Sequence, residues 1–275
     1  MPELPEVETV RRGLNKLVLG QVVTDVNVVF ENIIVGDPQE FVAQLKGKTL
    51  EKIDRRGKYL LFRFSDGITM VSHLRMEGKY FVKDGQEPLE KHSHIIFKLA
   101  NGKELRYNDV RKFGRMELIA TGHENEFKNL AKLGVEPTPT AFKVDEFYQA
   151  LQKKNKGIKS ALLDQTIVVG LGNIYVDEVL WMSQIHPETK ANHLTLAEAT
   201  VLHDNIIAEL AEAVKAGGTT VRSYADAFQN SGSFQFALQV YGKQGEPCPR
   251  CRTPIEKIRV AQRGTHFCPQ CQQVK

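Results

Sequence analysis

The chain has 275 residues, 41% of them hydrophobic and 25% charged, which is the balance of a folded globular protein and not of a disordered one. A chain of this length can bury roughly three-quarters of its surface and prefers about two domains. The net charge is only +4, apolar runs such as Tyr59-Leu60-Leu61-Phe62 fall far short of the ~20 residues of a membrane helix, and the start lacks the basic and apolar stretches of a signal peptide.

In chain order, Val7, Val10, Leu14 and Leu17 recur at helical spacing between Pro5 and Gly20, which predicts a short amphipathic helix. From about 22 to 120 the pattern becomes strand-like, with runs at Val22–Phe30, Tyr59–Phe64, Ile68–Leu74, Lys79–Val82, Ile95–Leu99 and Glu104–Tyr107. Asp66-Gly67 and Asn101-Gly102 read as tight turns between strands, and one helix interrupts them at Pro38–Lys46. An antiparallel sandwich or barrel is expected. Beyond a Pro-rich linker at Gly134–Thr140, helices are expected near 144–153, 158–166 and 174–184. A longer helix opens at Thr195, where Thr195 and Glu198 form a capping box, and stops at Gly217-Gly218. Residues 217–237 read as a long loop, which in a compact domain is usually functional.

The last 35 residues hold seven Lys or Arg against Glu246 and Glu256, a local charge of +5 that leaves −1 for residues 1–240. Such a tail suits a nucleic-acid partner. The four cysteines all lie there, as Cys248-x2-Cys251 and Cys268-x2-Cys271. Two such pairs can give four thiolates to one tetrahedral zinc ion; disulfides are the rival, but nothing marks an oxidising compartment. With zinc bound, the tail keeps about +3 by formal count.

Three stretches together resemble the bacterial formamidopyrimidine-DNA glycosylase family: Met1-Pro-Glu-Leu-Pro-Glu-Val-Glu8, Val169-Gly-Leu-Gly-Asn-Ile-Tyr175, and the four-cysteine tail with Ala261-Gln-Arg-Gly264. The resemblance spans essentially the whole chain. It implies an α+β multidomain fold: an N-terminal helix and β-sandwich over 1–133, a helix–two-turn–helix domain over 134–239, and a zinc-bound β-hairpin over 240–275. The implied activity is excision of 8-oxoguanine and formamidopyrimidines from double-stranded DNA, followed by cleavage at the abasic site. One structural zinc ion is the implied cofactor, held by Cys248, Cys251, Cys268 and Cys271. No membrane partner is expected, and a monomer in the bacterial cytoplasm, bound to the nucleoid through DNA, is.

The resemblance also assigns roles. Pro2 is the nucleophile, Glu3 protonates the sugar ring oxygen and shuttles protons, and Lys58 lies near the reacting sugar. An α-amine titrates near pH 8 and lysine near 10.4, so only the amine is substantially unprotonated at neutral pH. A secondary amine gives an iminium that acidifies the C2′ hydrogen and permits elimination. This requires removal of Met1. Glu6 mainly orders the helix, and Glu8 needs no role beyond favouring a helix N-terminus. Met76, Arg111 and Phe113 fill the gap left by an extruded base, Arg111 offering donors to the orphaned cytosine. Asn173, Arg263, His73 and Lys58 hold phosphates, Gly170 and Gly172 admit close approach of backbone amides, and Lys159 approaches the lesion. Thr219, Thr220, Arg222 and Tyr224 fall in the segment that closes over the flipped base, and Arg75 stands where some relatives have glycine. Two alternatives are a paralogous glycosylase of the endonuclease VIII type for oxidised pyrimidines and a non-catalytic zinc protein that binds DNA or RNA. The Pro2–Glu6 string with the Met76, Arg111 and Phe113 set argues against the first, and intact Pro2, Glu3 and Lys58 against the second.

Overall fold

The computed structural model describes residues 1–219 and 232–274. Thr220, Arg222 and Tyr224 lie outside the described residues. The chain divides into two compact units, Met1–Ala131 with Ala216–Ser233, and Lys132–Lys215 with Phe234–Lys275. The four-cysteine tail belongs to the second unit, and the stretch following the long helix groups with the first.

The first unit opens with helix α1 (Leu4–Val18), started by Pro5 and a capping box between Glu3 and Glu6. Its Val7, Val10, Leu14 and Val18 form one apolar stripe, each no more than 1% exposed. The strand β1 (Val23–Val28) and helix α2 (Pro38–Leu45) follow. Then come β2 (Leu50–Arg56), β3 (Tyr59–Phe64), β4 (Ile68–His73), β5 (Lys79–Asp84), β6 (Ser93–Leu99), β7 (Lys103–Asn108) and β8 (Arg115–Ala120). Short helix α3 (Lys128–Ala131) ends the run. The strands make two separate antiparallel sheets, β1-β6-β7-β5 and β2-β3-β4-β8. Between them lies one core in which Phe62, Met70, Phe97, Tyr80 and Tyr107 meet the stripe of α1. A sandwich results, not a closed barrel.

Strands β2 and β8 carry no signal in the sequence, and both are edges of the same sheet. In β2 only Leu50 and Ile53 turn fully inward, and a bulge between Leu50 and Lys52 breaks the alternation. Charged residues fill the remainder, as edge strands favour.

The second unit holds α4 (Val144–Gln152), α5 (Ile158–Leu163), α6 (Asn173–Met182) and α7 (Leu196–Lys215), then the hairpin β9 (Glu256–Val260) and β10 (Arg263–Phe267). Every residue of α6 from Ile174 to Trp181 is buried, including Asp177 and Glu178, so this helix is the unit's central element. At the head of α7 the Thr195 hydroxyl accepts from the Glu198 amide at 3.3 Å, while the Glu198 carboxylate accepts from the Thr195 amide at 2.9 Å.

Candidate active site and metal centre

Pro2 and Glu3 sit buried just ahead of α1, and Glu3 is 2% exposed. The Glu6 carboxylate accepts the Glu3 backbone N–H at 2.8 Å through one oxygen. Its other oxygen accepts from the Thr219 backbone at 2.8 Å and the Thr219 hydroxyl at 3.1 Å, 213 residues away. Glu6 therefore orders more than its own helix. It ties the start of α1 to the segment that follows α7.

Lys58 occupies the two-residue turn between β2 and β3, beside Gly57 at φ +55°, and is only 7% exposed. The turn is fixed to α1: Arg55 donates to Glu8 at 3.2 Å and to the Gly57 carbonyl at 2.8 Å. Glu8 also accepts from Arg11 and Arg12. Despite the opposing effect of burial, these cations hold its carboxyl down to about 2. Glu8 is thus the ionic staple that places the lysine turn against the helix bearing Pro2 and Glu3.

His73 ends β4, stacked edge-on against Tyr59 at 4.5 Å. Burial, together with the charges of Arg75 and Lys58, drives its pKa down to about 3. The ring is neutral at physiological pH. Its Nδ1 accepts the Arg75 backbone N–H at 2.9 Å, so the ring proton sits on Nε2, the atom left to donate. Arg75 itself adopts φ +55°, a conformation natural to glycine, and the half-buried Met76 follows it in the turn. Arg111 and Phe113 project from the loop between β7 and β8, Phe113 47% exposed with the Arg111 guanidinium 4.7 Å from its ring.

In the second unit the four cysteine sulfurs all lie within 4.8 Å of one another. The Cys251–Cys268 and Cys248–Cys271 separations are 3.4 and 4.0 Å. A tetrahedron with ~2.3 Å zinc–sulfur bonds has edges of about 3.8 Å, whereas a disulfide needs about 2.05 Å. The donor set fits one zinc ion. Trp181 donates its indole N–H to Cys248 Sγ at 3.4 Å, and the Arg250 guanidinium stacks 4.0 Å from its ring. Arg263 leaves the exposed tip of the zinc hairpin after Ala261 and Gln262, which take φ +48° and +61°. Two side-chain-bearing residues in this region mark a strained turn, held by the structure around it.

Lys159 does not reach the surface. It is fully buried, donating to Asp177 at 2.6 Å and the Thr265 hydroxyl at 2.8 Å. Asp177 accepts the His266 backbone N–H at 2.8 Å with its second oxygen, so the Lys159–Asp177 pair anchors β10 from the interior. Asn173, the first residue of α6, donates to the Gly264 carbonyl at 2.9 Å. Asn173 and Arg263 are thereby fixed to one hairpin. The Gly170 amide is spent internally on Gln165 at 2.9 Å. Asp109, Asp177 and Trp181 carry these arrangements without any motif; an Asn-Asp pair before a loop is the one signal that could have pointed to Asp109.

A helix-bearing sandwich, a helical unit with a two-turn entry to α6, and a four-cysteine hairpin define the zinc-containing DNA glycosylase fold. Three family models match in order: the formamidopyrimidine-DNA glycosylase N-terminal domain over residues 1–116, its H2TH domain over 133–225, and the zinc finger found in FPG and IleRS over 245–274. A formamidopyrimidine-DNA glycosylase of Ligilactobacillus salivarius is 62% identical over 275 residues, covering 100% of both chains. Among solved structures, wild-type Lactococcus lactis Fpg with N7-benzyl-Fapy-dG DNA is 48% identical with a TM-score of 0.94, over 99% of this chain and 100% of that one. The same protein with abasic-site DNA is 47% identical, again with a TM-score of 0.94, over 98% of this chain and 99% of that one. The chain belongs to the formamidopyrimidine-DNA glycosylase family.

Three outcomes are expected. Chelating zinc, or Cys268→Ser, should shift the emission of Trp181, the sole tryptophan, in step with metal release and loss of duplex binding. Full activity in a metal-free preparation would refute a structural zinc. Lys159→Ala removes the buried cation from its pair with Asp177, a loss worth roughly 3–5 kcal/mol, so thermal unfolding of the variant should begin well below wild type. His73 is neutral in the folded unit but titrates near 6.5 when unfolded, so acid favours the unfolded chain. The fold should therefore lose stability as pH falls from about 6.5 towards 3, and His73→Gln, compared by denaturant unfolding, should flatten that slope.

Proposed function

We propose that this chain removes oxidised purines, 8-oxoguanine and formamidopyrimidines, from duplex DNA and then cuts the strand at the abasic site. The observation that carries the reading is the placement of Pro2 and Glu3 at the head of α1, clamped through Glu8 and Arg55 to the turn bearing Lys58. Once Met1 is removed, the Pro2 nitrogen is a secondary amine that attacks the sugar C1′, and the glycosidic bond breaks as the base leaves. Glu3 donates a proton to the ring oxygen, the sugar opens, and an iminium forms on Pro2. Loss of a C2′ proton then breaks the C3′–O bond, and a second elimination breaks the C5′–O bond. Water hydrolyses the remaining iminium and frees the amine.

Each unit contributes its own DNA contacts in this reading. From the first, Met76, Arg111 and Phe113 fill the emptied base position, while the His73 Nε2–H and the Lys58 ammonium hold phosphates. From the second, Arg263 and the N-terminal amides of α6 at Asn173 hold phosphates, with zinc fixing the hairpin that presents Arg263. The protein works as a monomer, since a lesion has no two-fold symmetry. Its place is the bacterial nucleoid, in the cytoplasm. No helix among the described residues is long and apolar enough to cross a membrane.

Borohydride reduction during turnover tests the nucleophile. With an 8-oxoguanine duplex, the processed chain should be trapped on DNA and the adduct should map to the N-terminal peptide. A chain retaining Met1, or carrying an N-terminal tag, should not trap, because its proline nitrogen is an amide. An adduct on Lys58, or equal trapping of the extended chain, would overturn the assignment. Glu3→Gln should depress base excision far more than cleavage at a preformed abasic site.

A further inference from the structure

The loop bearing Arg111 and Phe113 has no regular structure, yet its backbone is closely specified. Asp109, fully buried at its start, is the hub. One carboxylate oxygen accepts the Arg111 backbone N–H at 3.0 Å. The other accepts the Phe113 and Gly114 backbone N–H groups at 2.9 and 2.8 Å, with the Tyr107 hydroxyl at 3.4 Å. The Asp109 carbonyl accepts the Lys112 N–H at 3.2 Å and the His94 Nε2–H at 2.9 Å, and Lys112 takes φ +57°. Nearly every amide of the loop is thus spent on one residue.

Tyr107 extends this control to the neighbouring turn. Its hydroxyl lies where a Cβ on Gly114 would come within 1.7 Å and a Cβ on Gly78 within 2.2 Å. Gly114 closes the loop of Arg111 and Phe113, and Gly78 closes the turn of Met76. Both glycines are therefore required by one phenol. Burial, together with the Asp109 charge, keeps that phenol protonated, well above the usual tyrosine range, so it remains a donor.

The geometry points to Asp109, supported by Tyr107, as the positioning residue that sets the choice of base opposite the lesion. Fully buried, it acts through the loop. It fixes the direction in which Arg111 leaves the loop, and it seats Phe113 beside the guanidinium. A bidentate base contact tolerates little angular error, so a loosened loop loses discrimination before it loses binding. This inference rests on the reading of Arg111 as the group that meets the opposite base.

The test measures kcat/KM for 8-oxoguanine opposite cytosine and opposite adenine, in wild type, Arg111→Ala, Asp109→Asn and the double variant. Asparagine keeps the shape but turns an amide donor towards donors. The cytosine-to-adenine ratio should fall about tenfold in Asp109→Asn, within the worth of one base contact, and by no more in the double variant than in Arg111→Ala. Tyr107→Phe, which keeps the ring and removes one donor, should lower the same ratio about twofold; if Asp109→Asn does not fold, this variant decides. A ratio that falls in Arg111→Ala but not in the Asp109 or Tyr107 variants overturns the inference and leaves the Arg111 reading standing. A ratio unchanged in Arg111→Ala removes the Arg111 reading and the inference with it. Equal losses opposite both bases in Asp109→Asn show a merely structural role and also overturn it.

Discussion

A carboxylate removed from water must have its oxygens filled, and in this protein that requirement shapes several of the segments around the candidate site. Four buried acids meet it by accepting backbone N–H groups from segments outside their own helix or strand. Glu6 takes those of Glu3 and Thr219, and Asp109 those of Arg111, Phe113 and Gly114. Asp177 takes that of His266 beside the Lys159 ammonium. Glu178 takes three in a row, from Gln239, Val240 and Tyr241, on the approach to the cysteine tail. Glu6, Asp109 and Glu178 thereby fix irregular stretches of chain, and Asp177 anchors strand β10.

Some of the strained backbone positions adjoin the candidate site residues. Arg75, Lys112, Ala261 and Gln262 all carry side chains in the left-handed region, and they adjoin Met76, Arg111 with Phe113, and Arg263 respectively. A left-handed residue with a Cβ costs on the order of 1–2 kcal/mol. Such conformations persist only where surrounding contacts over-determine them; here the His73 ring holds Arg75, Asp109 holds Lys112, and the hairpin holds Ala261 and Gln262. Preorganisation is the gain: the side chains that the proposed function sends into a duplex leave the protein already aimed.

Electrostatics divides the labour further. His73 is kept neutral by burial and by the cations around it, so it offers a directed N–H without adding charge beside Lys58. Glu8 is kept ionised by three arginines and serves as a fixed anchor. In the proposed reaction, proton traffic at the sugar falls to the amine of Pro2 and the carboxyl of Glu3.

The sequence by itself determined a good deal. The apolar period of α1, the turn residues at Asp66-Gly67 and Asn101-Gly102, the capping box at Thr195 and the paired cysteines all act over a few residues, and each was legible for that reason. Strands β2 and β8 were not: β2 is mostly charged and bulged, with only Leu50 and Ile53 fully buried, and β8 buries only Met116 fully. Lys159 reads as a basic residue near a DNA-binding turn, and only the arrival of Asp177 and Thr265, the latter 106 positions away, makes it an interior strut. Asp109 follows Asn108 ahead of a loop with nothing else to mark it, and only the fold brings the Tyr107 hydroxyl and the Gly114 amide onto its carboxylate. Local periodicity and ligand spacing are properties of the chain. Whether a charge faces water or another charge is a property of the fold, because burial and partners come from residues far apart in sequence.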